Sequence, residues 1–230
     1  MIPWKLLDTA CVPGSKTELR LYQRDREFSI RVDGYELMNS RVYTSSEDGF
    51  SALGCARMEG RRKPRVLIGG LGMGYSLRTA LDNLPKGAEV VVAELVPQVV
   101  AWNRDHLGHL ARHPLRDSRV RVRESDVGVV LRESRGQFDL IMLDVDNGAE
   151  GLTRKANDRL YNRGGIATAR DALRPEGVLG YWAAGPDQAF ARRLRESGLD
   201  VKEISIRAAK ASRGVKHTVW LAVANERAPR

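Results

Sequence analysis

The stretch "VLIGGLGMGYSLRTAL" (Val66–Leu81) decides the fold. An apolar run ends in glycines at alternate positions, Gly70, Gly72 and Gly74, and a helical pattern then starts at once, with Leu77, Leu81 and Leu84 on one face. A strand that turns on glycines into a helix N-terminus lets backbone amides approach a ligand closely. Tyr75 stands where a nicotinamide-dinucleotide turn has its last glycine, and no Gly-Lys-Ser/Thr follows to make a Walker loop.

Outward from this turn the chain alternates strand and helix. Strands are predicted at 65–69, 89–95, 119–124, 138–145 and 177–184, separated by helical stretches or short connections with Pro97, Pro175 and glycines as punctuation. That alternation predicts a parallel sheet covered on both faces. Two further strands, 201–208 and 217–225, are separated only by "AKASRGVK", too short for a helix, and should form an antiparallel hairpin at one edge. Five parallel strands closed by such a pair is the Rossmann-like α/β layout of class I S-adenosylmethionine-dependent methyltransferases.

The first 64 residues read differently. "TELRLYQRDREFSIRVDGYELM" alternates apolar and polar residues around turns at 24–26 and Asp33–Gly34, as a small β-hairpin or three-stranded piece would. "SSEDGFSALGCARME" reads as a helix capped by Ser45 or Ser46. The expected division is an N-terminal β-hairpin appendage over 1–45 and an adenosyl-donor-binding catalytic domain over 46–230.

A chain of 230 residues with 42% hydrophobic and 29% charged residues suits a soluble globular fold. No window approaches the length of a membrane span and the N-terminus lacks a signal-peptide layout, so a cytoplasmic location is expected. Cys11 and Cys55 lack metal-ligand spacing, and no structural disulfide is expected. The formal charge of +9 raises a nucleic-acid partner, but the basic residues are scattered. The densest run, "RRKPR" (61–65), has no interleaved aromatics. A solvated basic surface fits better.

Candidate ligand-binding residues fall at predicted strand ends, where α/β sheets bind ligands. Glu94, followed by Leu95, lies twenty residues beyond Gly74 and can accept hydrogen bonds from both hydroxyls of a ribose. Asp126, followed by Val127 after the third strand, stands where an adenine amino group would be read. After the fourth strand, Asp144, Asp146 and Asn147 crowd the place where a sulfonium would lie, and can orient an incoming amine and receive its proton. The alternatives are ordinary: a tight structural turn, helix caps, and an Asp-Asn-Gly turn. Trp182 and Tyr161 are candidate walls of the acceptor site or core residues. His106, His109 and His113 have helical spacing without an acid or cysteine to complete a metal set, and read as a solvated helix face.

Together these motifs resemble the spermidine/spermine synthase family, the polyamine aminopropyltransferases, over nearly the whole chain. The resemblance rests on "VDGYELM", "VLIGGLGMG", "AELVPQVV", "LIMLDVDNG", "RLYNRGGIATARDALRPEGVL" and "HTVWLAVA", in that order. It implies decarboxylated S-adenosylmethionine as donor, a diamine acceptor, no metal, and a homodimer. Gly70, Gly72, Met73 and Gly74 would then line the donor, Glu94 would hold its ribose and Asp126 its adenine. Asp144 would be the catalytic aspartate that binds and deprotonates the attacking amine.

The sequence also departs from the family. Met73 replaces the aspartate of the family's Gly-Gly-Gly-Asp-Gly-Gly turn, which contacts the donor's free amine, and Tyr75 replaces a later glycine. Loss of that acid removes a repulsion against the carboxylate of ordinary S-adenosylmethionine. "SSEDGFSAL" stands in place of the family's Tyr-His pair. Its Glu47 and Asp48 read as exposed helix-start acids, or else as acids of the acceptor pocket. Asp144-Val145-Asp146-Asn147-Gly148 replaces Asp-Ser-Thr-Asp-Pro. The leading expectation is therefore methyl transfer from S-adenosylmethionine to a small amine or similar nucleophile. Aminopropyl transfer is the alternative, and a noncatalytic nucleoside-binding protein the third reading.

Overall fold

A computed structural model describes residues 2–41, 45–144, 159–207 and 216–224, with only the backbone of Ser45 and Ser46. The glycine stretch opens the main sheet. β5 (Arg65–Gly69) leads through the turn into α2 (Tyr75–Asn83), with β6 (Glu89–Glu94) and α3 (Pro97–Arg104) next. β7 (Val120–Glu124), α4 (Val127–Glu133), β8 (Phe138–Leu143), α5 (Arg163–Ala172), β9 (Leu173–Ala183) and α6 (Gln188–Glu196) continue the alternation, and β10 (Asp200–Arg207) and β11 (Lys216–Val223) end it. The sheet order is β10-β11-β9-β8-β5-β6-β7. β5 to β9 run parallel, while β11 pairs antiparallel with both β9 and β10.

The expected α/β fold is present, and it is Rossmann-like. β8 and its neighbours are apolar throughout because both faces are covered. Alternation then assigns each strand residue to one face. Val66, Ile68, Leu140, Met142, Val178, Trp182, Val219 and Leu221 join one cluster, together with Phe50 of α1 (Ser45–Ala56). Leu67, Ile141, Leu143, Leu179, Tyr181 and Trp220 join the other, with Ile166 of α5 and Phe190 of α6.

The N-terminal region forms its own antiparallel sheet of four strands: β1 (Lys5–Cys11), β2 (Glu18–Arg24), β3 (Glu27–Val32) and β4 (Tyr35–Asn39). Asp33 and Gly34, both at positive φ (47° and 85°), make the β3–β4 turn, matching the twist of a tight hairpin. β1 was not expected: "KLLDTAC" lacks clean alternation, and one residue shifts register between Leu6 and Asp8. The apolar face of this sheet, with Leu19, Leu21, Phe28, Ile30 and Val32, belongs to the same cluster as Phe50 and Val66. This sheet therefore shares the core of the main sheet. Asp8 Oδ2 accepts from Trp102 Nε1 at 2.7 Å, and Phe28 meets the His109 ring edge-on at 5.5 Å.

The three histidines do not share a helix. α3 ends at Arg104, and two short 3₁₀ turns follow, Gly108–Ala111 and Pro114–Arg116, with Arg112 and His113 between them at positive φ (58° and 55°). No cluster of three or more metal-ligating side chains occurs among the described residues. Cys11 is exposed and Cys55 buried, and both are free. No described helix is long and apolar enough to cross a membrane.

At the amino end of the parallel strands, Asp139 of β8 is buried and closes a clasp. It accepts from Arg61 Nη1 at 2.6 Å, Arg174 Nη1 at 2.7 Å and the Arg65 amide at 2.7 Å. Arg61 and Arg65 of the basic run thus face internal partners, Arg65 also bonding Gln137.

Candidate functional site

The glycine turn is set at the carboxyl end of β5. Gly70, Gly72 and Gly74 all adopt positive φ (88°, 52° and 84°), a conformation that costs other residues strain. Two of them also lie close to neighbouring side chains. A Cβ on Gly72 would lie 2.9 Å from the Met38 side chain of β4, and one on Gly74 would lie 3.1 Å from Asn103 Oδ1. Asn103 of α3 supports the turn by donating from Nδ2 to the carbonyls of Gly72 (2.8 Å) and Val99 (2.9 Å). Sequence reading missed Asn103, which carries no signal beyond lying on a helix. Gly70, Gly72 and Ser76 keep some exposure, whereas Met73 and Gly74 are buried.

Met73 is fully buried in the core cluster shared with the N-terminal sheet. Tyr75, the first residue of α2, is also buried, with the Arg78 guanidinium 5.6 Å from its ring centre.

Glu94 ends β6 and spans the gap to the turn. Its Oε2 accepts from the Leu71 amide and its Oε1 from the Val96 amide, each at 2.9 Å. Burial pushes its carboxyl above the usual glutamate value, against the pull of these amides. The Leu95 and Gly72 amides also bear on this carboxylate, so backbone N–H groups from both the turn and the strand end hold it in place. Leu95 beside it is exposed. Asp126 caps α4 through the Val129 amide at 3.2 Å and pairs with Arg159 Nη2 at 3.2 Å, next to buried Val127.

Asp144 follows β8 directly. Its one hydrogen bond to a side chain among the described residues comes from Ser76 Oγ of α2, at 3.3 Å to Oδ2. Burial pushes its carboxyl up to about 6, against the pull of the Ser76 hydroxyl. An acid with a raised carboxyl beside a glycine turn suits a cationic partner. Ser76 went unnoticed in the sequence, although a serine just inside a helix that opens on a glycine turn is a usable signal.

Ser51 of α1 donates to the Ser76 carbonyl at 2.8 Å, which ties α1 to the Asp144 corner. One turn earlier, Glu47 is buried, contrary to the exposed helix-start reading. Asp48 is engaged with α2: it pairs with Arg78 Nη2 at 2.6 Å and accepts from Thr79 Oγ1 at 2.5 Å.

Trp182 lies near the end of β9, on the face shared with α1. It is 6% exposed, and its Nε1 has no hydrogen-bond partner among the described residues. His217 of β11 meets its ring edge-on at 4.7 Å. Tyr161 packs on the opposite face of the sheet, with ring centres 5.4 Å from Tyr181 and 5.2 Å from Phe190. Asp146 and Asn147 lie outside the described residues. The structure thus gathers Gly70, Gly72, Glu94 and Asp144 around the carboxyl end of the sheet and adds Ser76. A cavity lined by Arg57, Glu59, Arg61, Glu176, Val178 and Val223 lies at the opposite, amino end.

No protein-family model matches the chain. A curated relative, polyamine aminopropyltransferase 2 of Caldanaerobacter subterraneus subsp. tengcongensis, is 36% identical over 103 residues. That match takes in 42% of this chain and 33% of the relative, so it spans about one third of the relative's length. A spermidine synthase solved in complex with the transition-state analogue AdoDATO superposes with a TM-score of 0.74 at 15% identity, covering 95% of this chain and 72% of that one. The Burkholderia thailandensis 1,6-didemethyltoxoflavin-N1-methyltransferase, with bound S-adenosylhomocysteine, superposes with a TM-score of 0.54 at 19% identity over 80% of each chain. The chain has the class I methyltransferase-like fold and resembles the spermidine synthases, as the sequence motifs implied.

Proposed function

We propose that this spermidine-synthase-like chain is a transferase that moves an aminopropyl group from decarboxylated S-adenosylmethionine to a small amine. Asp144 is the observation that carries this reading: a carboxyl raised to about 6, beside the glycine turn, with Ser76 as its single described side-chain partner. The likeness to a polyamine aminopropyltransferase supports the choice of group. The methyl-transfer expectation rested on Met73, and that side chain is buried in the core. Its identity is therefore a poor guide to the donor's tail, and methyl transfer receives no specific support.

Glu94, a carboxylate fixed at the strand end by turn amides, is placed to face the donor's ribose, and the glycine turn brings exposed backbone at Gly70 and Gly72 beside it. Asp144 faces the cationic end. The acceptor must present a neutral nitrogen, so its ammonium proton passes to an ionised carboxylate, and Asp144 has a value suited to that exchange near neutral pH. The nitrogen lone pair forms the new N–C bond in line. The C–S bond breaks with its electron pair going to sulfur, which leaves a neutral thioether. Aligning the two reactants in a desolvated pocket is the chain's main contribution to rate.

The test is turnover with decarboxylated S-adenosylmethionine and 1,4-diaminobutane, followed by release of 5′-methylthioadenosine. Stoichiometric formation of the thioether and the aminopropylated amine is expected. Methylated amine formed from S-adenosylmethionine, with no reaction of the decarboxylated donor, would overturn the proposal.

A further inference from the structure

Asn103 sits on the buried face of α3, 1% exposed, beside Val99, Val100 and Trp102 of the same helix. Those three side chains join the apolar cluster that also holds Met73 of the turn and Tyr75 of α2. A primary amide is costly in such a place unless its polar atoms are bonded. Here Nδ2 is bonded twice, and Oδ1 has no hydrogen-bond partner among the described residues. Packing alone would be better served by leucine, which has a similar branched shape and no polar atoms. The presence of an amide therefore directs attention to what Nδ2 holds.

Its two bonds join two segments that both hold Glu94. From the turn, the Leu71 amide donates to Oε2 at 2.9 Å, and the Gly72 amide also bears on the carboxylate. From the strand end, the Val96 amide donates to Oε1 at 2.9 Å, and the Leu95 amide bears on it as well. Asn103 Nδ2 donates at 2.8 Å to the Gly72 carbonyl and at 2.9 Å to the Val99 carbonyl. The Val99 amide in turn donates to the carbonyl of Val96. One amide group thus clips the glycine turn to the first turn of α3, with the Glu94 carboxylate held by both. The near side of the glycine turn is tied to β6 separately, by the Gly70 amide donating to the Ala93 carbonyl at 2.8 Å. Gly72, at a φ of 52°, has no side chain to restrict its backbone, so the bond to its carbonyl fixes how it faces Glu94. We propose that Asn103 is a positioning residue for the adenosyl donor: its Nδ2 locks Gly72 and, through it, sets the Glu94 carboxylate toward the ribose. This inference rests on the adenosyl-donor reading above, and it gives Asn103 no contact with either reactant.

The test is a double-mutant cycle read by calorimetry with 5′-methylthioadenosine, which carries the ribose and adenine of the donor without its aminopropyl group. Asn103→Ser can keep the bond to the Val99 carbonyl, as a helical serine does four residues on, but is too short for Gly72. Asn103→Leu loses both bonds and fills the same space. Each variant is expected to bind ~5–10-fold more weakly than the wild type, the scale of one hydrogen bond. In a Glu94→Gln background the same substitutions should cost less than ~2-fold, because the group they act through is already gone. Asn103→Leu should lose this affinity without a fall in Tm, and in turnover the donor KM should rise while the amine KM stays put. Equal losses in the two backgrounds, or unchanged affinity in both variants, would overturn the inference and leave Asn103 as a structural link between α3 and the turn. A wild-type chain that does not bind 5′-methylthioadenosine overturns the adenosyl-donor reading itself, and this inference with it.

Discussion

One strand carries two aspartates with opposite fates. Asp139, near the start of β8, meets two guanidinium groups and a backbone amide. Asp144, just past the strand's other end, has the Ser76 hydroxyl at 3.3 Å as its described side-chain partner. The same residue type, five positions apart, is a structural clasp at the amino end and, among the described residues, an acid with a single side-chain hydrogen bond at the carboxyl end. Removing one partner of a buried ion pair is costly, whereas a carboxyl raised by burial beside a ligand turn is a candidate for chemistry.

The contrast is broken most sharply by exchanging each aspartate for asparagine. Asp144→Asn should lower kcat/KM by ~10³-fold or more, the scale at which a positioned acid–base group acts, without lowering Tm. Asp139→Asn should leave kcat/KM near wild type while costing ~3 kcal/mol or more in denaturant unfolding, because two arginines lose a buried partner. Reversed outcomes would mean that the roles of the two ends have been misassigned.

pH sharpens the same comparison. Asp144 binds its proton more tightly in the folded chain than its ordinary value of 3.8 would allow. It therefore costs stability at neutral pH, and that cost is relieved as pH falls through about 6 toward 4. Asp144→Asn should remove this component, with unfolding free energy at pH 7.5 rising by ~1–3 kcal/mol and its dependence on pH between 4 and 6 flattening. In the wild type, kcat/KM should fall on the acid side with an apparent midpoint near 6, the value for Asp144 in the free enzyme. An acid limb with that midpoint persisting in residual Asp144→Asn activity would assign the titration elsewhere.

The smallest expected effect lies in the turn. Gly72→Ala combines positive φ with a Cβ pressed against Met38, a flexible side chain that can move aside. A loss of ~1 kcal/mol in stability is expected, with Met38→Ala recovering the part due to contact and leaving the backbone part. Full recovery would show that the glycine is needed only for packing against β4.

The main sheet was legible because its signals are repetitive. Apolar strands at regular spacing, glycines at alternate positions and a closing pair of strands too close for a helix leave few arrangements. The placement of Glu94 and Asp144 at the carboxyl ends of parallel strands was legible for the same reason. Features that depend on which way a side chain turns were not legible. Met73 was read as part of the donor site from its position in a motif, yet its side chain lies in the core. Glu47 looked like an exposed helix-start acid because the first turn of a helix favours acids, and the docking of α1 on the sheet buried it. β1 escaped because its pairing with β2 tolerates an irregular register. Asn103 acquires meaning only from the glycine turn that the fold sets beside it.

The most direct measurement is calorimetric titration of nucleoside-free protein at pH 7.5 with decarboxylated S-adenosylmethionine and with S-adenosylmethionine, in the wild type and in Glu94→Gln. One site per chain is expected, filled more tightly by the decarboxylated form. Affinity should fall ~10–100-fold in the variant, as loss of charged hydrogen bonds to the ribose requires. Absence of binding heat with both compounds, or affinity unchanged by Glu94→Gln, would contradict an adenosyl donor held at the carboxyl end of this sheet.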